Sequence, residues 1–191
     1  YKSTILRLIG SLEHFGYIQK TASGTYRLGP ALFQLGVLYK QAFDIEGFVR
    51  PILAELVEHT GETAAYYIRQ GERRQCLYRK NSPRSARHHL EEGILLPLNV
   101  GATGRILLAY EQGAEHDAEV KKQGFYVSLG ERDPDVAAVA VPVLSQGGKI
   151  YGSLMVSGLR SRYHEAERKQ ALEVLFVQAK KIGAKFDSLG I

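Results

Sequence analysis

Lys2-Ser3-Thr4-Ile5-Leu6-Arg7-Leu8-Ile9-Gly10-Ser11-Leu12-Glu13-His14-Phe15-Gly16, running into Tyr17-Ile18-Gln19-Lys20-Thr21-Ala22-Ser23-Gly24-Thr25-Tyr26-Arg27-Leu28, decides how the chain is read. Ile5, Leu8, Ile9, Leu12 and Phe15 recur at the three- and four-residue spacing that puts apolar side chains in one stripe of an α-helix. Ser3, Arg7, Gly10 and His14 fall on the other face. Ser3 is the expected N-cap and Gly16 the expected stop, which predicts a helix over residues 3–15. Extended runs at residues 17–20 and 25–28 flank Thr21-Ala22-Ser23-Gly24, a hairpin signal.

Beyond this start, Pro30 suits a first helical turn, and Leu32, Leu35, Val37 and Leu38 carry a helical pattern toward Phe43. Asp44 can cap a further helix holding Phe48, Ile52, Leu53, Leu56 and Val57 and ending near Gly61, with Pro51 predicting a kink or a later start. Strands are expected at residues 63–69 and 75–80 around the turn 70–74, and again at 137–144 and 150–156 around 145–149. A polar segment, 81–92, has no decided structure. Between the strand pairs, residues 97–100 lead into Gly101-Ala102-Thr103-Gly104-Arg105 and a helix with Ile106, Leu107, Leu108 and Ala109; a polar helix is expected near 114–123. Residues 165–186 form a closing amphipathic helix with Leu172, Leu175, Phe176, Ala179, Ile182 and Phe186 on one side. Helices mixed with antiparallel strands predict an α+β domain over residues 45–191, after an N-terminal module (1–29) and a linker helix (30–44). The chain opens inside a helical pattern, so the first module is read as truncated.

Of 191 residues 45% are hydrophobic and 24% charged, a composition that supports a packed core. Twenty-five Lys and Arg against 20 Asp and Glu give +5. Residues 1–44 hold Lys2, Arg7, Lys20, Arg27 and Lys40 against only Glu13 and Asp44, so the positive charge gathers at the N-terminal end, where it permits nucleic-acid binding. One cysteine, Cys76, excludes an intrachain disulfide and a multi-cysteine zinc site. No run of 18 apolar residues and no signal-peptide pattern is present, which reads as a cytoplasmic chain without a membrane partner.

A helix followed at once by a hairpin reads as the end of a winged helix-turn-helix, whose helix enters the major groove of double-stranded operator DNA. Lys2, Ser3, Thr4 and Arg7 are the candidates on the helix, and Lys20, Ser23, Thr25 and Arg27 those on the wing. Composition alone leaves open that Ser3 only caps the helix and Arg7 only faces solvent. The order of motifs is more specific. Lys2 to Ile9, Leu12-Glu13-His14-Phe15-Gly16-Tyr17-Ile18, Tyr26-Arg27-Leu28-Gly29-Pro30 and Leu35-Gly36 resemble the IclR family of bacterial transcriptional regulators. The resemblance continues through Pro97-Leu98, Gly101 to Arg105, Leu107-Leu108-Ala109, Val139-Ala140-Val141-Pro142-Val143 and Ser157-Gly158, covering essentially the whole chain. It implies a winged helix-turn-helix joined by a linker helix to a GAF- or PAS-like effector domain with a curved antiparallel sheet, assembled as a homodimer or dimer of dimers.

The resemblance also implies an effector pocket where the sheet faces the loop 99–104. Asn99, Gly101, Ala102, Thr103, Ala138, Met155 and Ser157 are its candidate residues. The Gly101 and Ala102 amides at a helix start can receive a carboxylate, and glycine permits close approach. Ala138 stands where relatives that bind small oxo-acids have a cysteine, and Met155 where they have a serine; Ser157 is kept. The expected effector is a small organic acid, with Ala138, Met155 and the tyrosines Tyr66, Tyr78 and Tyr151 favouring an aromatic one.

For an enzyme the sequence has little. The six histidines show no metal-ligand spacing, and no nucleophile elbow, phosphate loop or dinucleotide fingerprint occurs, so no catalytic residue, metal or cofactor is assigned. Cys76 reads as a small core residue, and His88-His89, Glu91-Glu92, Glu131 and Asp133 as solvated loop groups. The alternative to a DNA-binding regulator is a GAF-type sensor or enzyme that does not bind DNA.

Overall fold

The computed structural model describes residues 1–42, 45–111 and 118–190. The chain divides into two compact units, Tyr1–Asp44 and Ile45–Ile191.

In the first unit, α1 (Lys2–His14) precedes a two-stranded antiparallel hairpin, β1 (Ile18–Lys20) and β2 (Tyr26–Leu28), and then α2 (Pro30–Ala42). The expected Ser3 cap is displaced: the helix begins at Lys2 with Tyr1 in the N-cap position and no side-chain cap bond, which leaves Ser3 inside the first turn. Gly16 follows the last turn with φ +71°, a left-handed conformation that costs glycine nothing. Gly29 is required for a different reason. Its backbone crosses that of Gly16 and Tyr17 so closely that a Cβ there would overlap the Gly16 carbonyl, while its N–H donates to Tyr17 O at 2.8 Å.

The second unit is built on one six-stranded sheet of strand order β5-β4-β3-β8-β7-β6, antiparallel throughout. The strands are β3 (Thr63–Gln70), β4 (Arg73–Lys80), β5 (Leu95–Pro97), β6 (Tyr126–Leu129), β7 (Val136–Leu144) and β8 (Ile150–Leu159). Four helices accompany them: α3 (Ile45–Thr60), α4 (Ala102–Ala109), α5 (Ala118–Gln123) and α6 (Glu165–Leu189). α3 continues through Pro51 instead of starting after it. Pro51 falls within the second turn, where the helix gives up the one bond that an N–H at this position would make to the Gly47 carbonyl. The Asp44 cap and residues 114–117 of the expected polar helix lie outside the described residues.

Side chains alternate across the sheet. Ala64, Tyr66, Ala137, Val139, Val141, Val143, Leu154 and Val156 are buried against α3 and α6, together with Leu53, Leu56, Leu175, Ile182 and Phe186. Ala65, Tyr67, Ala138, Ala140 and Met155 are buried on the other face with Leu98, Ala102, Ile106 and Leu107 of the α4 layer. A bulge in β4 adjusts the register: Tyr66 pairs with Tyr78 and Tyr67 with Cys76, so Leu77 is the extra residue and Cys76 and Tyr78 fall on opposite faces. Cys76 is fully buried, and burial pushes its thiol pKa up. The closing helix buries Ala171, Leu175, Ala179, Ile182 and Phe186, but Phe176 departs from the expected stripe and remains 40% exposed.

Candidate functional site

The eight residues of the first unit singled out above occupy one helix and one hairpin. Lys2, Ser3, Thr4 and Arg7 are all exposed on α1. On the hairpin, Lys20, Ser23, Thr25 and Arg27 are exposed as well. Ser23 and Thr25 share hydroxyl bonds with Thr21 Oγ1 at 2.9 and 2.7 Å, and Arg27 donates through Nε and Nη2 to Gln19 Oε1 at 3.3 and 3.1 Å. These local bonds hold the turn and spread its polar groups over a solvent-facing surface.

The second site is assembled across the α4 face of the sheet. Ala138 of β7 lies directly opposite Ser157 of β8, Ala140 opposite Met155, and Ser128 of β6 opposite Ala138. Alternation then turns Ala138, Met155 and Ser157 toward the same side as Tyr67. With Gly101, Ala102 and Thr103 they border one cavity. Asn99 is exposed and does not line it. The cavity is about 40 Å³, room for about one water molecule at that molecule's share of liquid volume.

The loop before α4 is shaped from below. Gly101, at φ +84°, occupies the N-cap position without a side-chain cap, so the first amides of α4 keep no intrahelical partner. Beneath it lies Arg74, 3% exposed, whose Nη1 donates to Pro97 O and to Val100 O at 2.6 Å. Burial chiefly lowers the Arg74 pKa to about 10, so the group is still a cation near neutrality. Gly104 must be glycine, since a Cβ would overlap Leu98 O and Arg74 Nη1.

Over the mouth, Arg132 donates to His88 Nε2, and both residues border the cavity with Leu90 and Asp133. The His88 carbonyl accepts from Arg79 Nη2 at 2.9 Å, and Arg79 also donates its N–H to Glu92 Oε1 at 2.7 Å. That anchorage fixes the polar segment whose structure the sequence left undecided. Burial, followed by the charges of Arg132 and Arg79, lowers the His88 pKa to about 4. Neutral His88 therefore accepts at Nε2 and carries its proton on Nδ1. Three polar atoms of residues bordering the cavity are buried without a hydrogen-bond partner: Arg74 Nε, His88 Nδ1 and Ser157 Oγ.

Several expectations change here. Tyr66 and Tyr78 point into the α3–α6 core and Tyr151 packs against Phe186, so the tyrosine of the cavity is Tyr67, one residue along. The period of two decides this, and the β4 bulge keeps Tyr78 with Tyr66. His88 is a half-buried wall of the site, unlike exposed His89. Glu92 is held by Arg50 through two bonds of 3.0 and 2.9 Å. Glu131 Oε2 accepts from the Gly101 amide at 2.9 Å, so that amide already has a carboxylate on it. Arg74, His88 and Arg132 were not candidates. Arg74 falls in the expected turn 70–74, which hides it from local pattern, and His88 and Arg132 meet only through tertiary structure.

Among the described residues no group of His, Cys, Asp and Glu could hold a metal ion, and no helix is long and apolar enough to cross a membrane.

The profile of the family described as "Bacterial transcriptional regulator IclR C-terminal" matches residues 37–121 and 118–184. The chain is 23% identical over 190 residues to the HTH-type transcriptional regulator KipR of Bacillus subtilis, covering 86% of this chain and 76% of that protein. It is 28% identical over 193 residues to the HTH-type transcriptional regulator XynR of Escherichia coli, covering 87% and 77%. These relatives are transcriptional regulators and not enzymes. Among solved structures, an IclR transcriptional regulator of Alicyclobacillus acidocaldarius superposes with a TM-score of 0.78 at 27% identity over 96% of this chain and 85% of that one. An IclR regulator of Silicibacter sp. TM1040 has a TM-score of 0.86 at 24% identity, covering 97% and 84%, a likeness of fold.

Proposed function

We propose, on the premise that this chain belongs to the IclR family of bacterial transcriptional regulators, that it binds operator DNA through α1 and the hairpin and takes a small organic acid as effector in the α4-face cavity. The observation that carries the second half is the set of unpartnered buried groups, Arg74 Nε, His88 Nδ1 and Ser157 Oγ, beside the first turn of α4, whose N-cap makes no side-chain bond. A buried polar group without a partner costs about 1–3 kcal/mol, so three around one cavity describe a surface complementary to a polar ligand. The donors are a guanidinium, an imidazole N–H, a hydroxyl and backbone amides, with no carboxylate among the unpartnered atoms. That selects an anion. Ala138, Met155 and Leu96 supply apolar wall for a short carbon skeleton. At about 40 Å³ the cavity as it stands receives only the carboxylate end of a small acid. An aromatic acid requires the cover formed by His88, Leu90 and Arg132 to move outward.

Effector binding then shifts the population of subunit arrangements in a homodimer or dimer of dimers, and α2 carries the change to the DNA-binding elements. In that scheme the protein works in the cytoplasm beside the chromosome. The test uses duplexes selected from a random library, with retention measured at several salt concentrations with and without small carboxylic acids. Retention is expected to fall steeply with salt, and Arg7→Ala or Lys2→Ala each to reduce the slope by about 1. An acid that binds should change duplex affinity. Unchanged slopes in both variants would remove α1 from the interface.

A further inference from the structure

Glu131 occupies the place this reading gives to the effector's carboxylate. Its Oε2 accepts from the Gly101 N–H at 2.9 Å, across 30 residues of sequence, at the N-terminus of α4. The side chain comes from an exposed loop and lies at the mouth instead of in the cavity. We propose that Glu131 is a built-in stand-in for the effector, a self-ligand that an incoming acid must displace from the Gly101 amide. The inference rests on the cavity being an acid site.

Three further observations support it. Glu131 satisfies one donor and leaves Ser157 Oγ, 2% exposed, and His88 Nδ1 without partners. A free acid reaching deeper meets the amide and those groups together, so it can outcompete a side chain that meets the amide alone. The loop of Glu131 is tied at its base, with Gly130 N–H donating to Val136 O at 2.9 Å and Arg160 Nη1 to Pro134 O at 3.0 Å. Its tip is therefore kept near Gly101, and tethering gives a weak carboxylate a high effective concentration. Finally, the same loop carries Arg132, which holds His88 over the mouth. Displacing Glu131 frees the residue next to the one that closes the cavity, which couples occupancy to the position of the cover.

A self-ligand that holds the amide about nine-tenths of the time weakens a competing acid about tenfold. The experiment uses acetate as probe and amide resonances of the whole chain as readout, in wild type, Glu131→Ala and Asp135→Asn. The last removes a neighbouring negative charge of the same loop that is exposed and does not border the cavity. Expected are faster hydrogen exchange at the Gly101 amide in Glu131→Ala without acetate, and half-maximal shifts of Gly101 and Ser157 at about tenfold lower acetate than in wild type. Asp135→Asn should stay within about twofold of wild type. Equal gains in Glu131→Ala and Asp135→Asn would show a general field effect and overturn the self-ligand, as would identical titrations in all three proteins; the acid site itself would survive both results. Absence of any acetate shift at Gly101, Ala102 and Ser157 in every protein would overturn the acid site and the self-ligand together.

Discussion

Tyr66 and Tyr67 are neighbours in the chain and belong to different halves of the second unit. Tyr66 packs edge-on against Phe186 and donates its hydroxyl to Tyr151 O at 2.9 Å, on a face filled by α3 and α6. Tyr67 lies under the Arg74 guanidinium at 5.9 Å on the α4 face, where burial above all pushes its phenol pKa up. The first face is closed by aliphatic contact. The second is interrupted by a cavity with unpartnered donors, and two glycines, Gly101 and Gly104, hold its loop against the sheet. Among the described residues Tyr163 OH and Gln178 Oε1 also lack hydrogen-bond partners, but neither borders the cavity. Both faces of the sheet are packed, and the cavity opens on the α4 face.

Substitutions can break that contrast. The largest effect belongs to the packed face: Leu154→Ala, at a fully buried position, should cost about 2–5 kcal/mol in denaturant unfolding while leaving acid affinity unchanged in whatever fraction is folded. If affinity falls with stability, the faces are not independent. Gly104→Ala should cost less, about 1–3 kcal/mol, because its Cβ must push Leu98 O or Arg74 aside. Here acid binding should fall as well, because the α4 amides and the Arg74 anchor move together. A smaller effect sharpens the contrast through pH. With the His88 pKa lowered from 6.5 to about 4, the unfolded chain binds the proton first. Stability from His88 is complete above about pH 6.5 and is lost as pH falls toward 4. His88→Gln should flatten this part of the profile, checked by urea midpoints between pH 7 and 4.

Much of the fold could be read from local pattern. Alternation in residues 137–144 and 150–156 marks Ala138 and Met155 as one face of their strands, Ser157 joins them because β8 runs on to Leu159, and the glycines of 101–104 mark the turn into α4. The short edge strands β5 and β6, three and four residues long, give too few periods to detect. The hairpin signal at 70–74 places Arg74 in a turn; in the structure β4 begins at Arg73, and the carbonyls of Pro97 and Val100 offset the cost of burying Arg74. Glu131 and His88 were set aside by the ordinary rule that charged loop residues face water. Glu131 obeys it, exposed while it holds the Gly101 amide, and only His88 breaks it, half-buried where separate loops converge over the sheet.

The central claim is that the α4 face is an acid-binding site with Ser157 as one of its donors. It is tested most directly by thermal shift of wild type and Ser157→Ala across a series of small carboxylic acids, from two-carbon acids to aromatic ones. Without acid, the variant should match wild type within about 1 kcal/mol, because it removes a hydroxyl that has no partner. With acid, at least one member of the series should raise the melting temperature of wild type, and the rise should shrink by more than half in the variant. Equal rises in both proteins would contradict the site, and so would a series in which no acid stabilises wild type.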